Sequence, residues 1–125
     1  MTKHLHIAFA PCKDRAGIVV KTAPGLSPIA AFCKPITPGP YADWQALLCA
    51  IQAGIEAGAT ELTLYGSCPA LQELQLTRRL VREEVAAYHF QAWRWLVESF
   101  GKNWHAVPIA PGMNPAYAVA EERAA

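Results

Sequence analysis

Apolar and polar positions alternate strictly at the start of the chain. Over residues 3–10, Leu5, Ile7 and Phe9 fall on one side and His4, His6, Ala8 and Ala10 on the other. That two-residue period predicts a strand with one apolar face. Pro11 and the charged Lys13, Asp14 and Arg15 predict its end, and Ala16–Ala23, with Gly-Ile-Val-Val inside it, predicts a second strand. The Pro24-Gly25 turn leads to a third over residues 29–36. Consecutive strands with short turns imply an antiparallel meander.

The period then changes. After the proline-rich stretch 35–40, Trp44, Leu47, Leu48, Ile51 and Ile55 recur at helical spacing, which predicts a helix over 41–57 with Gly58 as its stop. A short strand follows over 61–65, closed by Gly66. Residues 71–80 and 81–100 both carry helical periodicity with a bend between them, and 103–109 reads as the last strand. Pro111-Gly112 makes a loop before a helix from Pro115. The order βββ-α-β-αα-β-α predicts one α/β domain over residues 1–125. Its five-stranded mixed sheet has three antiparallel strands first and then helix-linked ones, flanked by helices.

Composition narrows the function. Charged residues make up 17% of the 125, against about 25% in an ordinary soluble protein, and apolar ones 53%. Eleven basic and ten acidic side chains leave a net charge of +1. This is not the basic excess of a protein that grips a polyanion through many phosphates. The cysteines at 12, 33, 49 and 68 form no Cys-x-x-Cys pair, the start has no apolar signal-peptide core, and no run approaches membrane-spanning length. The expectation is a cytoplasmic protein with reduced thiols and no membrane partner.

Three segments, in order, carry a family likeness. Tyr41-Ala42-Asp43-Trp44-Gln45-Ala46-Leu47-Leu48 resembles the "A-E-Y-x-A-L" helix start of ribonuclease H-like proteins, with Asp43 in place of Glu. Glu61-Leu62-Thr63-Leu64-Tyr65-Gly66-Ser67 resembles their strand ending in "G-D-S", with Ser67 at the Asp position. Ala106-Val107-Pro108 and Asn114 resemble the segment "H-V-P-R-x-x-N-x-x-A-D", with Ala118 at the final Asp. Where the family's first strand ends in "D-G", this chain has Ala10-Pro11.

The resemblance implies a two-metal nuclease framework built on four carboxylates. Of the matching positions Ala10, Asp43, Ser67 and Ala118, only Asp43 keeps its acid. Magnesium prefers charged oxygen ligands, and alanine supplies none. The expectation is therefore a pseudoenzyme with no cofactor. The competing reading is a divergent ribonuclease on RNA–DNA hybrids, using Mg or Mn held by Asp43 with relocated Asp14 and Glu121. In the simpler view these are a helix-start acid, a loop charge and, with Glu122, solvated charges.

The resemblance implies neighbouring first and fourth strands, placing Cys12 and Cys68 near the vacated site with His105 on the last strand. A zinc site needs about four ligands, so a redox pair or simply buried thiols compete with it. His4 and His6 share a strand face, and His89 has no evident partner. Arg78, Arg79, Arg82 and Trp93 are the candidates for nucleic acid, with Arg78 and Arg82 at i,i+4 expected to share a helix face. Glu83 and Glu84 follow them, and Trp95 fits a core stripe with Tyr88, Ala92 and Leu96. Between Lys21 and Glu56 only Lys34 and Asp43 are charged, which suggests that helix 41–57 contacts a protein partner or a second copy as a homodimer. Weak binding of RNA–DNA hybrid or duplex completes the expected partners.

Overall fold

The computed structural model describes residues 2–122. Strands β1 (His4–Cys12), β2 (Arg15–Lys21) and β3 (Ala30–Pro35) are followed by α1 (Ala42–Glu56), β4 (Glu61–Gly66) and α2 (Pro69–Leu74). Then come α3 (Ala86–Phe100), β5 (Trp104–Pro108) and α4 (Pro115–Glu122). The five strands form one sheet in the order β3-β2-β1-β4-β5. The first three pair antiparallel, while β4 and β5 join parallel through helical crossovers. This is the mixed sheet that the element order predicts.

Each face of the sheet has its own cover. On one side the apolar positions of β1 are fully buried with Ile18, Leu62 and Leu64 beneath Trp44, Leu47 and Ile51 of α1 and Leu96 of α3. On the other, α4 lies over a small core of Ala8, Ala10, Val19 and Ala116. Gly17 makes that close approach possible: a Cβ there would stand 2.2 Å from the Ala116 carbonyl oxygen.

Helix α1 explains the missing charge. Of its residues only Gln52 and Glu56 are exposed; Leu48, Cys49, Ala53 and Ile55 all pack against the core. A helix covered by the sheet on one flank and α3 on another has little solvent face to charge. Within the helix the shortage therefore has an internal cause. At its end Gly58 takes φ 75°, and the N–H groups of Gly58 and Ala59 bond the carbonyls of Ile55 and Gly54, a Schellman closure.

Two expectations are corrected. β1 does not stop at Pro11 but runs through it to Cys12. Its pairing with β4 ends at Ala8, so beyond that point one side of the strand is open and a residue without an N–H is tolerated. The predicted helix 71–80 ends at Leu74, and single 3₁₀ turns at Arg78–Leu80 and Glu83–Val85 lead into α3. Side chains from α3 take up the carbonyls that a longer helix would use. Trp93 Nε1 donates to the Leu74 carbonyl at 2.9 Å, and His89 Nε2 meets that of Leu76 at 3.1 Å. No helix among the described residues is long and apolar enough to cross a membrane.

Candidate functional site

Of the four positions matched to the family's carboxylates, Ala10 lies on β1, Asp43 on α1, Ser67 just after β4 and Ala118 on α4. Ala10 is fully buried in the small core under α4, whereas Ala118 is exposed on that helix. Ser67 follows β4, whose last residue Gly66 leaves room for the Phe9 ring; a Cβ there would come within 2.8 Å of it.

Asn114 ties the region together. Its Nδ2 donates to the Phe9 carbonyl at 3.0 Å and to Ser67 Oγ at 3.2 Å. Its Oδ1 accepts from the Ala116 N–H at 3.0 Å, inside the first turn of α4. One buried amide thus fixes β1, the β4 end and α4 at once, and its burial is tolerated because both ends of the amide are bonded.

Asp43 is engaged structurally too. Oδ1 accepts the Trp44 N–H at 2.9 Å and Oδ2 the Ala70 N–H at 3.1 Å. The acid at the start of α1 therefore also caps α2, a favourable place for negative charge at two helix N-termini. Cys68 is buried beside it. Burial first, and then the Asp43 charge, push its thiol up to about 11, so it stays protonated and is no nucleophile at neutral pH. All four cysteines are free thiols.

The relocated acids are not brought together. Asp14 is exposed in the β1–β2 turn and pairs with Arg15 at 3.2 Å. Glu121 is exposed on α4, and the side chain of Glu122 lies outside the described part. Among the described residues no three His, Cys, Asp or Glu side chains are grouped so as to hold a metal ion. A two-metal centre does not fit this donor set, nor does a zinc site on Cys12, Cys68 and His105.

The nucleic-acid candidates divide. Arg82 does not share a helix face with Arg78: its guanidinium clamps Glu73 at 2.6 and 3.0 Å and reaches Glu84 at 3.5 Å. Trp93 is no open stacking platform, because it packs edge-on against Trp104 at 5.0 Å between ring centres and spends its N–H on α2. Arg78 lies 5.9 Å from the ring centre of exposed Phe90, and Arg79 is exposed beside it.

Sequence reasoning missed a polar row on the α4 side of the sheet. Strand register sets Lys21, His6, Thr63 and His105 side by side across β2, β1, β4 and β5. His4 Nε2 lies 2.7 Å from Thr63 Oγ1, and His6 Nδ1 lies 2.8 Å from the Tyr65 hydroxyl. Glu61 takes His105 at 3.0 Å and His4 at 3.9 Å. The period-two spacing of Glu61, Thr63 and Tyr65 was the available signal, but only the register pairs it with the histidines.

Comparison of the sequence with protein-family models and with curated proteins finds no match. Solved structures do match. RNase H1 from the halophilic archaeon Halobacterium salinarum superposes with a TM-score of 0.72 at 20% identity, over 93% of this chain and 92% of that one. The N-terminal RNase H domain of a Mycobacterium tuberculosis protein gives 0.68 at 14% identity, over 98% and 99%. LC11-RNase H1, isolated from compost by a metagenomic approach, gives 0.67 at 12% identity in its complex with an RNA/DNA hybrid, over 93% and 91%. Likeness over nearly the whole length of each chain, in the same mixed sheet with the same flanking helices, establishes that this protein has the ribonuclease H-like fold.

Proposed function

We propose that this protein is a noncatalytic ribonuclease H-like module that holds nucleic acid weakly, as an RNA–DNA hybrid or a duplex, without cleaving it. One observation carries the reading: the only acid left at the four matching positions, Asp43, spends both oxygens on backbone N–H groups, and Ala10, Ser67 and Ala118 offer it no carboxylate partner. Phosphoryl transfer by metal ions needs charged oxygens converging on one point. Those are missing, so the residues present do not suit the magnesium or manganese that the divergent-nuclease reading requires. Support for a nucleic-acid ligand comes from the fold and from LC11-RNase H1, which shares it and takes an RNA/DNA hybrid.

Of the arginine candidates, Arg78 and Arg79 are left to hold phosphates, since Arg82 is neutralised by Glu73 and Glu84. With a net charge of only +1 the binding is weak and salt-sensitive. The test is a labelled RNA–DNA hybrid incubated with the purified protein in magnesium and in manganese, beside Asp43→Asn. The expected result is no cleavage in either metal, with hybrid retained on a gel and released by Arg78→Glu/Arg79→Glu. Cleavage that disappears in the Asp43 variant would restore the nuclease. No retention at low salt would leave protein–protein contact as the role of the module.

A further inference from the structure

The polar row across the sheet borders a cavity of about 290 Å³ whose lining includes none of Ala10, Asp43, Ser67 and Ala118. Its floor is Ala8, Val19 and Tyr65, one step along the strands from the row. Ile109 and Met113 wall it from the segment before α4, and Pro24 closes it from the β2–β3 turn. Lys21 and His6 form its polar edge.

The charges on this edge do not balance. Glu61, the carboxylate nearest the row, is drawn to His105 and His4 at the far side. Lys21 has no ion pair among the described residues, although it is half-buried. The His6 ring uses Nδ1 on the Tyr65 hydroxyl, and if that hydroxyl donates, Nε2 carries the proton and is a second donor. A lone ammonium and a neutral imidazole donor beside an apolar floor select a singly charged head on an apolar body. The volume lies at the low end of ligand pockets and suits roughly a dozen non-hydrogen atoms.

We propose that this cavity is a binding site for a small apolar carboxylate, with the head on Lys21 and His6 and the body over Ala8, Val19 and Tyr65. The site is independent of whether the vacated face holds nucleic acid. Its ligand would also recharge His6. Burial, and then the charge of neighbouring His4, hold that imidazole below its ordinary value while Glu61 opposes them, and Lys21 and Tyr65 face it from β2 and β4. A bound carboxylate favours the protonated ring.

The test is an amide-resolved NMR titration of the whole chain with phenylacetate, indole-3-acetate and 4-methylpentanoate, beside neutral phenylacetamide. At least one acid is expected to give saturable shifts confined to Lys21, His6, Tyr65 and Met113, and to raise the His6 titration midpoint. Lys21→Met and the neutral amide should each weaken binding by about tenfold, the loss of one charge-assisted contact. Met113→Trp, which fills the cavity from an exposed position, should abolish it, with thermal melting confirming that both variants fold. No saturable shift with any acid overturns the proposal. So does equal binding of acid and amide, or undiminished binding by Lys21→Met.

Discussion

The two faces of the sheet are built to different standards. Beneath α1 and α3, large side chains interlock: Trp44, Phe9, Leu47, Ile51, Leu62 and Leu96 are all fully buried. Beneath α4 the buried residues are Ala8, Ala10, Val19 and Ala116, and beyond the helix the face opens onto histidines, a tyrosine and a lysine. Burial of apolar area scales with side-chain size, so the first face carries most of the hydrophobic stabilisation. The second relies on close backbone approach and one buried amide. The comparison teaches where change is tolerated: the thick face fixes the fold, and the thin face is where Ala10 and the cavity lie.

The largest expected effect tests the thick face. Leu47→Ala should lower unfolding free energy by about 3–4 kcal/mol in urea denaturation, and Val19→Ala under α4 by clearly less. Equal losses would dissolve the contrast. Next comes the close approach at Gly17. Gly17→Ala should cost about 2–3 kcal/mol, because the new methyl meets the backbone of α4, whereas Gly25→Ala, with nothing within 4 Å, should be near neutral. A neutral Gly17→Ala would mean that α4 is free to shift away from β2.

Asn114→Ala should cost about 2 kcal/mol by leaving the Phe9 carbonyl and Ser67 hydroxyl without their donor. Asp43→Ala should cost about 1 kcal/mol, the usual worth of a helix cap, since its oxygens serve the starts of two helices. A gain in stability on removing Asp43 would mark it instead as a strained functional acid.

The smallest effect is electrostatic and confined to the thin face. The folded value of His6 lies below 6.5, so the unfolded chain takes up that proton more readily. Its contribution to stability is therefore intact above 6.5 and erodes as pH falls from there through the folded value. His4, Glu61, Lys21 and Tyr65 face the ring. His4→Gln, which removes a like charge, should raise the His6 midpoint read by NMR of the imidazole, and Glu61→Gln should lower it. An unmoved midpoint in both would remove the electrostatic coupling along the row.

The thick face was the legible one. Leu5, Ile7 and Phe9 at period two, and Trp44, Leu47 and Ile51 at helical spacing, identify its strand and helix because one-sided burial writes itself directly into the pattern. Order and spacing were also enough to place the mixed sheet and its flanking helices in sequence. What local pattern could not show was set by long-range partners. The early end of α2 depends on Trp93 and His89 supplying its carbonyls from another helix. The neutralisation of Arg82 depends on Glu73, nine residues back in the chain. The sparse charge of α1 itself depends on α3, which covers one flank of that helix.

The Asn114 amide also sets an order of assembly. It reads the Phe9 carbonyl, 105 residues away in the chain, and the Ser67 hydroxyl together, so it can close only after β1 and β4 stand side by side. Helix α4 therefore locks only after those two strands are paired. It is also well placed to leave early, since the buried side chains beneath it are alanines and one valine. Amide hydrogens shielded by α4 should exchange well before those under α1, making the C-terminal helix a latch that opens while the rest of the protein stays folded.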